Sequence, residues 1–274
     1  MLKTLCIVIF SLFFYGSAFC QSDTTASYIY MLKGFDNEVL KNYQEALRDL
    51  DSSIIANPGY YKSYLIRGLV KFRLKDIKGS IDDYNKYIAA SPNTSVAYES
   101  RGYSKFLLGD NIGAMADYNT SINLDPNVAK VYRRRATVED QLGLFQEAVT
   151  DFNKALVLTP EDANTYFDIG VTKSHLGDRK GAMAAFDKAI QLKPAFELAF
   201  LYRGTIKNLI KDYNGALEDF NRCLELNPNN SDAYVNRGLL KSAENNEVGA
   251  CADFQKALSL GNERVAEMIS LFCK

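Results

Sequence analysis

Residues 61–94 read YKSYLIRGLVKFRLKDIKGSIDDYNKYIAASPNT, and this pattern returns along the chain every 34 residues. The period is clearest in the six prolines, which are Pro58, Pro92, Pro126, Pro160, Pro194 and Pro228. Self-similarity at a fixed period of this length is typical of repeat proteins, in which each unit stacks on its neighbours. The spacing therefore predicts an array of equal units and excludes most enzyme folds with a single core.

Seven copies of the unit fit the chain when its proline is numbered position 32. They cover residues 27–60, 61–94, 95–128, 129–162, 163–196, 197–230 and 231–262. Position 4 is aromatic in every copy, as Tyr30, Tyr64, Tyr98, Tyr132, Tyr166, Phe200 and Tyr234. Position 24 is Leu50, Tyr84, Tyr118, Phe152, Phe186, Phe220 and Phe254. Within a unit the apolar residues follow helical spacing in two segments with a break at positions 14–16, which predicts a helical hairpin.

Small residues and helix signals support the hairpin. Positions 8 and 20 hold glycine, alanine or serine, which lets two helix backbones approach closely. Glycines near the break predict the end of the first helix, and they are Gly109, Gly143 and Gly177. Aspartates just after them predict the N-caps of the second helix, and they are Asp76, Asp110, Asp178 and Asp212.

These positions make the chain similar to the tetratricopeptide repeat family over residues 27–262. The shared pattern is an aromatic residue at position 4, glycine at 8, alanine at 20, an aromatic residue at 24, a small residue at 27 and proline at 32. The resemblance implies an all-α fold, a right-handed α-α superhelix of seven hairpins that binds peptides or proteins along its concave face. Residues 263–274 form an apolar helical stripe, which predicts a C-terminal capping helix over the last hairpin.

Two rows of the repeat predict contacts across each hairpin. Position 7 is a cation where position 23 is aspartate, from Lys33 with Asp49 to Arg237 with Asp253, and both become apolar together at Ile169 and Ala185. This covariation within the chain predicts an ion pair inside each repeat. Lysine at position 11 likewise accompanies glycine at position 19, as in Lys71 with Gly79, and we interpret the glycine as space for the lysine stem.

The N-terminus has the layout of a secretory signal peptide over residues 1–20, followed by a short lead at 21–26. Lys3 precedes an apolar run of 15 residues, which is shorter than the roughly 20 needed to span a bilayer. Cleavage after Cys20 is the favoured interpretation, with cleavage after Ala18, lipidation of Cys20 and a retained anchor as alternatives. The predicted location is therefore periplasmic or secreted, with no membrane span after cleavage.

An exported chain can form disulfides. Cys251 and Cys273 flank the predicted turn at Gly261 at similar distances along the chain, so two antiparallel helices would bring them together. We predict a Cys251–Cys273 disulfide and a buried, unreactive Cys223.

Nothing in the chain indicates catalysis. His175 is the only histidine, so the chain cannot form a metal site from several histidines and offers one histidine at most for a Ser-His or Cys-His pair. No phosphate-binding glycine motif is present. The net charge of −1 supplies no basic surface for nucleic acid. We expect no enzyme activity, no cofactor and no metal site.

The family resemblance assigns ligand binding to the first helix of each unit, at positions 2, 5, 9, 12 and 13. The candidate ligand-binding residues are Leu65, Leu69, Glu99, Tyr103, Lys130, Arg133, Arg134, Phe167, Asp168 and Leu201. This groove would be apolar toward both ends, with Lys130, Arg133 and Arg134 facing Glu99 and Asp168 in the middle. It suits an extended segment with apolar anchors and a central charge. The alternative is that about half of the apolar residues pack between neighbouring repeats.

The predicted function is a non-catalytic scaffold that binds a protein or peptide in an exported compartment. The residues that hold the tails of heat-shock chaperones in this family are absent from any three consecutive units, so such tails are not the expected ligand. One alternative is a structural component of the cell envelope that associates with itself as a homo-oligomer. A second is a glycan-binding accessory subunit of an enzyme.

Overall fold

The computed structural model describes residues 23–273. The predicted signal peptide, residues 1–20, lies outside them. In this range the chain forms α1 (23–39), α2 (Tyr43–Ala56), α3 (Lys62–Arg73), α4 (Ile77–Ala90), α5 (Ser95–Leu107), α6 (Asn111–Leu124), α7 (Ala129–Gln141), α8 (Phe145–Leu158), α9 (Ala163–His175), α10 (Arg179–Leu192), α11 (Glu197–Leu209), α12 (Tyr213–Leu226), α13 (Ser231–Ala243), α14 (Glu247–Ser259), a 3-10 turn (Glu263–Val265) and α15 (Ala266–Phe272). No β-strand occurs among these residues, and none of these helices is long and apolar enough to cross a membrane.

The chain divides into two compact units whose boundary lies inside α7, between Arg134 and Arg135. In the first unit α3 packs on α4 and α5 packs on α6, and α4 also contacts α5. In the second unit α9 with α10, α11 with α12 and α13 with α14 form the same pairs. The all-α array of helical hairpins predicted from the repeat is confirmed. Helix α1 already begins at residue 23, so most of the predicted lead at 21–26 is its first turn.

The ring at position 24 is the centre of each hairpin. Tyr84, Tyr118, Phe152, Phe186, Phe220 and Phe254 are almost completely buried. A Cβ atom added to Gly68 would lie only 2.7 Å from the Tyr84 ring, and one added to Gly238 would lie 2.7 Å from the Phe254 ring. Glycine at position 8 leaves room for the ring of the second helix, which lies directly against the backbone of the first, and in the fourth hairpin Ala136 takes its place against Phe152.

The turn between the two helices has the same backbone in every hairpin. Position 15 has a positive φ of 75–80° at the predicted helix stops Gly109, Gly143 and Gly177. The other four hairpins adopt the same left-handed conformation with side chains present, at Lys41, Lys75, Lys211 and Asn245. Since such residues rarely enter this region, the tertiary packing of the hairpin imposes the turn even where glycine is missing.

The aspartate N-caps are confirmed, and they overturn the explanation of the glycine at position 19. Asp76 accepts a hydrogen bond from the backbone N–H of Gly79, and the same bond recurs from Asp110, Asp178 and Asp212, with Asn246 taking this role on Gly249. A Cβ atom at Gly79 would overlap the Asp76 carboxylate, not the stem of Lys71. The glycine is therefore needed first by the cap. The interpretation as space for the lysine is wrong at Gly79, although at Gly181 an added Cβ atom would also lie 2.8 Å from Lys173 Nζ.

The predicted ion pair inside each repeat is present in five hairpins. The Arg67 guanidinium donates to both Asp83 oxygens, with Nε to Oδ2 at 2.8 Å and Nη2 to Oδ1 at 2.6 Å. The same geometry joins Arg101 to Asp117, Arg135 to Asp151, Arg203 to Asp219 and Arg237 to Asp253. In the fifth hairpin Ile169 and Ala185 are buried in one apolar cluster instead. In the first, the expected pairing of Lys33 is wrong, because Asp49 accepts its hydrogen bond from Asn37 at 2.9 Å.

The lysine at position 11 adds a second cation to that carboxylate, which the sequence did not reveal. The Lys71 ammonium lies 2.8 Å from Asp83 Oδ2. The same contact occurs from Lys105 to Asp117, from Lys207 to Asp219 and from Lys241 to Asp253 at 2.8–3.0 Å. In the fifth hairpin, where the aspartate is Ala185, Lys173 lies 3.7 Å from the N-cap Asp178. Four of the five buried aspartates thus have two cationic partners, which offset the cost of burying the charge, while Asp151 has Arg135.

The C-terminal segment covers the last hairpin. Val265 is fully buried, and Met268 and Ile269 pack on a cluster that contains Ala250 and Phe254 of α14. A disulfide joins Cys251 to Cys273, whose Cα atoms are 5.3 Å apart. The segment is a 3-10 turn followed by α15 and not one continuous helix. Cys223 is free and buried, and burial raises the pKa of its thiol to about 11.

Candidate functional site

The first helices of three successive hairpins line a pocket in the first unit. Its volume is about 110 Å³, and its walls come from α3, α5 and α7, with one residue of α4 behind them. The lining residues are Leu69, Phe72, Arg73, Tyr84, Glu99, Ser100, Tyr103, Lys130 and Arg134. Five of these residues belong to the binding face predicted from the sequence, so the structure brings half of that set together at one place.

A buried carboxylate holds the pocket together. Glu99 is only 4% exposed, and it accepts a hydrogen bond from Arg134 Nη1 while the Lys130 ammonium lies 3.0 Å away. A carboxylate is stable at such a depth because cations pair with it. Lys130 still keeps 57% of its side chain exposed, so one of the two cations remains available at the pocket mouth.

Aromatic rings position the second cation. The guanidinium carbon of Arg134 lies 3.6 Å from the centre of the Tyr103 ring, within the range of a cation–π interaction. The Tyr103 ring is itself flanked by Phe72 and Phe106, at centroid distances of 5.4 and 6.4 Å. This stacking fixes the plane of the guanidinium, and an oriented fork of N–H donors is suited to a carboxylate.

The charge of the pocket is positive. Three cations, Arg73, Lys130 and Arg134, line it against the single carboxylate of Glu99. Arg73 Nε also lies 3.9 Å from Glu38, which reduces the surplus without removing it. A positive pocket with aromatic walls favours an anionic group that is carried next to apolar side chains.

Two tyrosine hydroxyls distinguish this part of the chain from the rest of the repeat. Position 24 is tyrosine in the second and third hairpins, as Tyr84 and Tyr118, and phenylalanine in the four that follow. The Tyr84 hydroxyl interacts with Ser100 in the pocket wall, which lowers the pKa of the phenol against the larger effect of burial. The Tyr118 hydroxyl is buried without a hydrogen-bond partner among the described residues. Burial raises the pKa of both phenols, so both are neutral hydrogen-bonding groups.

The second unit has a pocket of its own, of about 210 Å³, on α7, α9 and α11 with one ring from α8. Its lining residues are Thr137, Asp140, Gln141, Phe152, Phe167, Asp168, Val171, Thr172 and Tyr202. Phe167 meets Tyr202 edge to face at 5.4 Å. Beside it, His175 Nδ1 lies 3.1 Å from Asp140 Oδ1, and the imidazole packs on Phe145 at 5.3 Å. The predicted residues Phe167 and Asp168 are therefore pocket residues of the second unit.

Three other predicted residues lie elsewhere. Leu201 is only 7% exposed and packs in the core with Phe220 and Leu224, contrary to the expectation that it contacts a ligand. Its hairpin is covered by the next one, whose Ala233 and Leu240 belong to the same cluster. Leu65 is half-buried beside Tyr64 and Ile88, and Arg133 is half-buried outside both pocket linings.

The sequence analysis missed Phe72, Arg73, Tyr84 and Tyr202 as pocket residues. Phe72 and Arg73 stand at positions 12 and 13, which the family resemblance already associates with ligand binding. The change from tyrosine to phenylalanine at position 24 was a further signal, because a hydroxyl is costly in a core that a phenyl ring fills equally well.

Comparisons with known proteins agree with this architecture. Two tetratricopeptide repeat models match the chain, one over residues 40–94 and the other over residues 163–196 and 203–230. No curated protein matches the chain significantly. A solved tetratricopeptide repeat protein from Parabacteroides merdae is 20% identical, with a TM-score of 0.71 over 91% of this chain and 100% of that one.

Two further solved structures are similar. The C-terminal part of a repeat protein from Cytophaga hutchinsonii is 17% identical, with a TM-score of 0.68 over 85% of this chain and 97% of that one. YrrB, described as a tetratricopeptide repeat protein with an unusual peptide-binding site, is 21% identical, with a TM-score of 0.55 over 68% of this chain and 97% of that one. At these identities the likeness concerns the fold. The matched repeat models identify this chain as one that contains tetratricopeptide repeats, and the seven hairpins of the described residues have the corresponding fold.

Proposed function

We propose that the protein is a non-catalytic scaffold that binds an extended protein segment on the first helices of its hairpins, in an exported compartment. Tetratricopeptide repeat proteins generally bind proteins or peptides and are generally non-catalytic, and the similar protein YrrB has a peptide-binding site. The observation that carries the proposal is the pocket on α3, α5 and α7, because three successive first helices contribute polar and apolar side chains to one concavity.

The chemistry of this pocket suggests the ligand. An acidic side chain or a terminal carboxylate would meet Lys130 and the free edge of the Arg134 guanidinium, while Leu69 and Phe72 would contact apolar neighbours. The proposed ligand is thus an extended segment with an acidic group next to apolar anchors, consistent with recognition of peptides in repeat grooves.

The exported location rests on two features. Residues 1–20 have the order of a secretory signal, and the Cys251–Cys273 disulfide suits an oxidising compartment. N-terminal sequencing of the protein isolated from its cells tests this part. We expect the chain to begin at Gln21 and to be found outside the cytoplasm, and an intact Met1 on protein in the cytoplasm would contradict the proposal.

Crosslinked co-purification from native extract tests the binding role. The site variant is Tyr103→Ala with Lys130→Ala, which leaves Arg134 paired with the buried Glu99. The matched control is Ile112→Ala with Lys78→Ala, which removes one large residue and one lysine from exposed positions on second helices. We expect a partner captured by the wild type and the control to be lost with the site variant. Equal capture by all three proteins would place binding on another surface.

Synthetic peptides test the ligand chemistry separately. The probes share leucine and phenylalanine anchors and differ at a central residue, which is aspartate, asparagine or lysine. We expect the aspartate peptides to bind most tightly and the lysine peptides least, with a preference that weakens as salt is added. Equal binding of the three series would contradict an anionic ligand while leaving the scaffold role intact.

A further inference from the structure

Helix α1 has an apolar face that nothing among the described residues covers. Four of its side chains, Tyr28, Leu32, Phe35 and Val39, form what we call the α1 stripe, and they are 48, 39, 46 and 60% exposed. Ile29 and Leu40 beside the stripe are also exposed. The adjoining face of α1, with Ser27 and Met31, is buried inside the hairpin. The apolar surface of α1 therefore extends well beyond its buried face, whereas the exposed part of a helix is normally polar.

We propose that the α1 stripe of one molecule packs against the α1 stripe of a second copy, so that the protein is a two-fold symmetric dimer. The α1 stripe lies on the same face of the first helices as the peptide pocket, because Tyr28, Phe35 and Val39 stand at positions 2, 9 and 13. The pairing of two stripes does not require the pocket to hold a ligand.

The spacing of the stripe suits helix pairing. Its residues follow one another at intervals of four, three and four, which is the spacing of the apolar positions along a two-stranded coiled coil. No charged residue interrupts the stripe. A short seam of this kind buries large side chains on both helices without leaving a charge between them.

The sizes of the side chains are self-complementary in an antiparallel arrangement. A two-fold axis between Leu32 and Phe35 places Tyr28 opposite the partner's Val39 and Leu32 opposite the partner's Phe35. Each larger side chain thus meets a smaller one, and the same patch serves both copies, as a symmetric dimer requires. A parallel arrangement would place Tyr28 against the partner's Tyr28 and leave the sizes unmatched.

The area is close to what a dimer needs. Six large residues at about half exposure present roughly 600 Å² if each has a full area of about 150–250 Å². Stable dimers bury about 800 Å² on each partner.

The two ends of the repeat array support this assignment. In repeat proteins the terminal units need a cover for the apolar surface that an internal unit shares with its neighbour. The last hairpin has its cover in Val265, Met268 and Ile269 and in the disulfide to Cys273. Internal hairpins bury position 3 against the preceding hairpin, as Ser63 does against Ser53, and the first hairpin has Ile29 there, 47% exposed beside the α1 stripe. A second copy provides an equivalent cover for it.

Light scattering and sedimentation over a hundredfold range of protein concentration test the proposal. The protein is purified as its cells process it, and its exact mass is measured first, since the unprocessed chain is 30.7 kDa. The test variant is Leu32→Asp with Phe35→Asp. The control is Ile55→Asp with Ile112→Asp, which introduces the same charges at residues of the first unit that are 81 and 82% exposed. Circular dichroism and melting curves check that both variants remain folded.

We expect the wild type and the control to be dimers and the test variant to dissociate, with a dimer affinity lower by on the order of a hundredfold or more. Cysteine crosslinking then tests the orientation. A mixture of L32C and F35C proteins should form a disulfide-linked dimer, whereas Y28C alone should not, because antiparallel helices hold the two sites about 16 Å apart.

Three results would overturn the proposal. The first is a wild-type monomer at every concentration, whether or not its mass shows that residues 5–19 are retained. The second is a dimer that the Asp variant does not weaken. The third is efficient crosslinking of Y28C to itself, which would indicate a parallel arrangement or another interface.

Discussion

In the fourth hairpin, the Oε1 atom of Glu139 lies 3.9 Å from the Nε atom of Arg135, at a position where five other hairpins have lysine. The side chain is 7% exposed, and its Oε2 atom has no hydrogen-bond partner among the described residues. Burial and the nearby charge of Asp151 raise the pKa of Glu139 to about 7, although Arg135 acts in the opposite direction. The hairpin therefore has two carboxylates where four other hairpins have a carboxylate and an ammonium.

This arrangement predicts stability that falls as pH rises. Above the unfolded pKa of 4.5 the unfolded chain loses the Glu139 proton, while the folded chain keeps it up to about pH 7. The folded state then binds more protons, so the free energy of unfolding decreases between these values. We expect Glu139→Gln to raise that free energy by about 2 kcal/mol at pH 8 and to have little effect at pH 4. Urea unfolding at several pH values measures this, and an equal effect at every pH would contradict it.

Glu139→Lys should stabilise the protein further, because it restores the contact that Lys71 makes with Asp83. Its matched control is Lys154→Glu, an exposed change of charge on α8. A Lys variant that is less stable than Glu139→Gln at pH 8 would show that the neighbouring packing does not admit the ammonium.

The ion pair in the second hairpin should be costly to break from one side only. Asp83→Ala leaves Arg67 and Lys71 without the buried carboxylate that both contact, and we expect a loss of about 3 kcal/mol in the free energy of unfolding. Adding Arg67→Ile reproduces the apolar pair of Ile169 and Ala185, and Lys71 can then turn to the N-cap Asp76 as Lys173 does to Asp178. The double variant should be more stable than Asp83→Ala. Losses that simply add in a double-mutant cycle would refute the coupling.

The role of Gly79 can be tested because the effect of Gly79→Ala on the free energy of unfolding should change sign when the Asp76 cap is removed. In the wild type, Gly79→Ala should lower the free energy of unfolding by about 1 kcal/mol, because the new Cβ atom displaces the Asp76 cap. In an Asp76→Ala background the same change should be stabilising by up to about 1 kcal/mol, because alanine favours helix over glycine. Melting curves of the four proteins decide the matter. If Gly79→Ala has the same sign in both backgrounds, the cap is not the reason for the glycine.

Loss of the Cys251–Cys273 disulfide should loosen the C-terminal cover. The bond closes a loop of 22 residues, so Cys273→Ser should cost about 3 kcal/mol on the loop-entropy account. The expected result is a lower melting temperature for the variant and for the reduced wild type, with no change for Cys223→Ala beyond a small packing loss. Alkylation of denatured, non-reduced protein lacking residues 1–20 should label one cysteine, and three labelled cysteines would mean that the bond is absent.

The sequence predicted much of the fold because each repeat is an independent repetition of the same local rule. The row from Tyr84 to Phe254 identifies the core, and the aspartate before each second helix identifies its cap. The pairing of Arg67 with Asp83 was visible because Ile169 and Ala185 change together. The repeats of one chain can thus be compared with each other as natural variants of the same hairpin.

The site was less predictable for physical reasons. Position 5 is half-buried in one hairpin and buried in another, as Leu65 and Leu201 show, because the cover depends on the side chains of the next hairpin. The contact of Lys71 with Asp83 was not predicted, because positions 11 and 23 do not change together. In the fifth hairpin position 11 is still a lysine, Lys173, although position 23 is Ala185. The residues that recur in every repeat identify what each hairpin needs in order to fold. A binding site depends on residues that differ between hairpins, so the repeat pattern does not predict it.

The disulfide at Cys273 also determines the end from which the repeat array unfolds. In a stack of repeats, unfolding proceeds from an end, and the hairpin with the weaker boundary frays first. The last hairpin cannot separate from its terminal helix while the disulfide persists. In the dissociated protein, amide hydrogens should therefore exchange fastest in α1 and α2, and a pulling force should unzip the chain from its N-terminal hairpin.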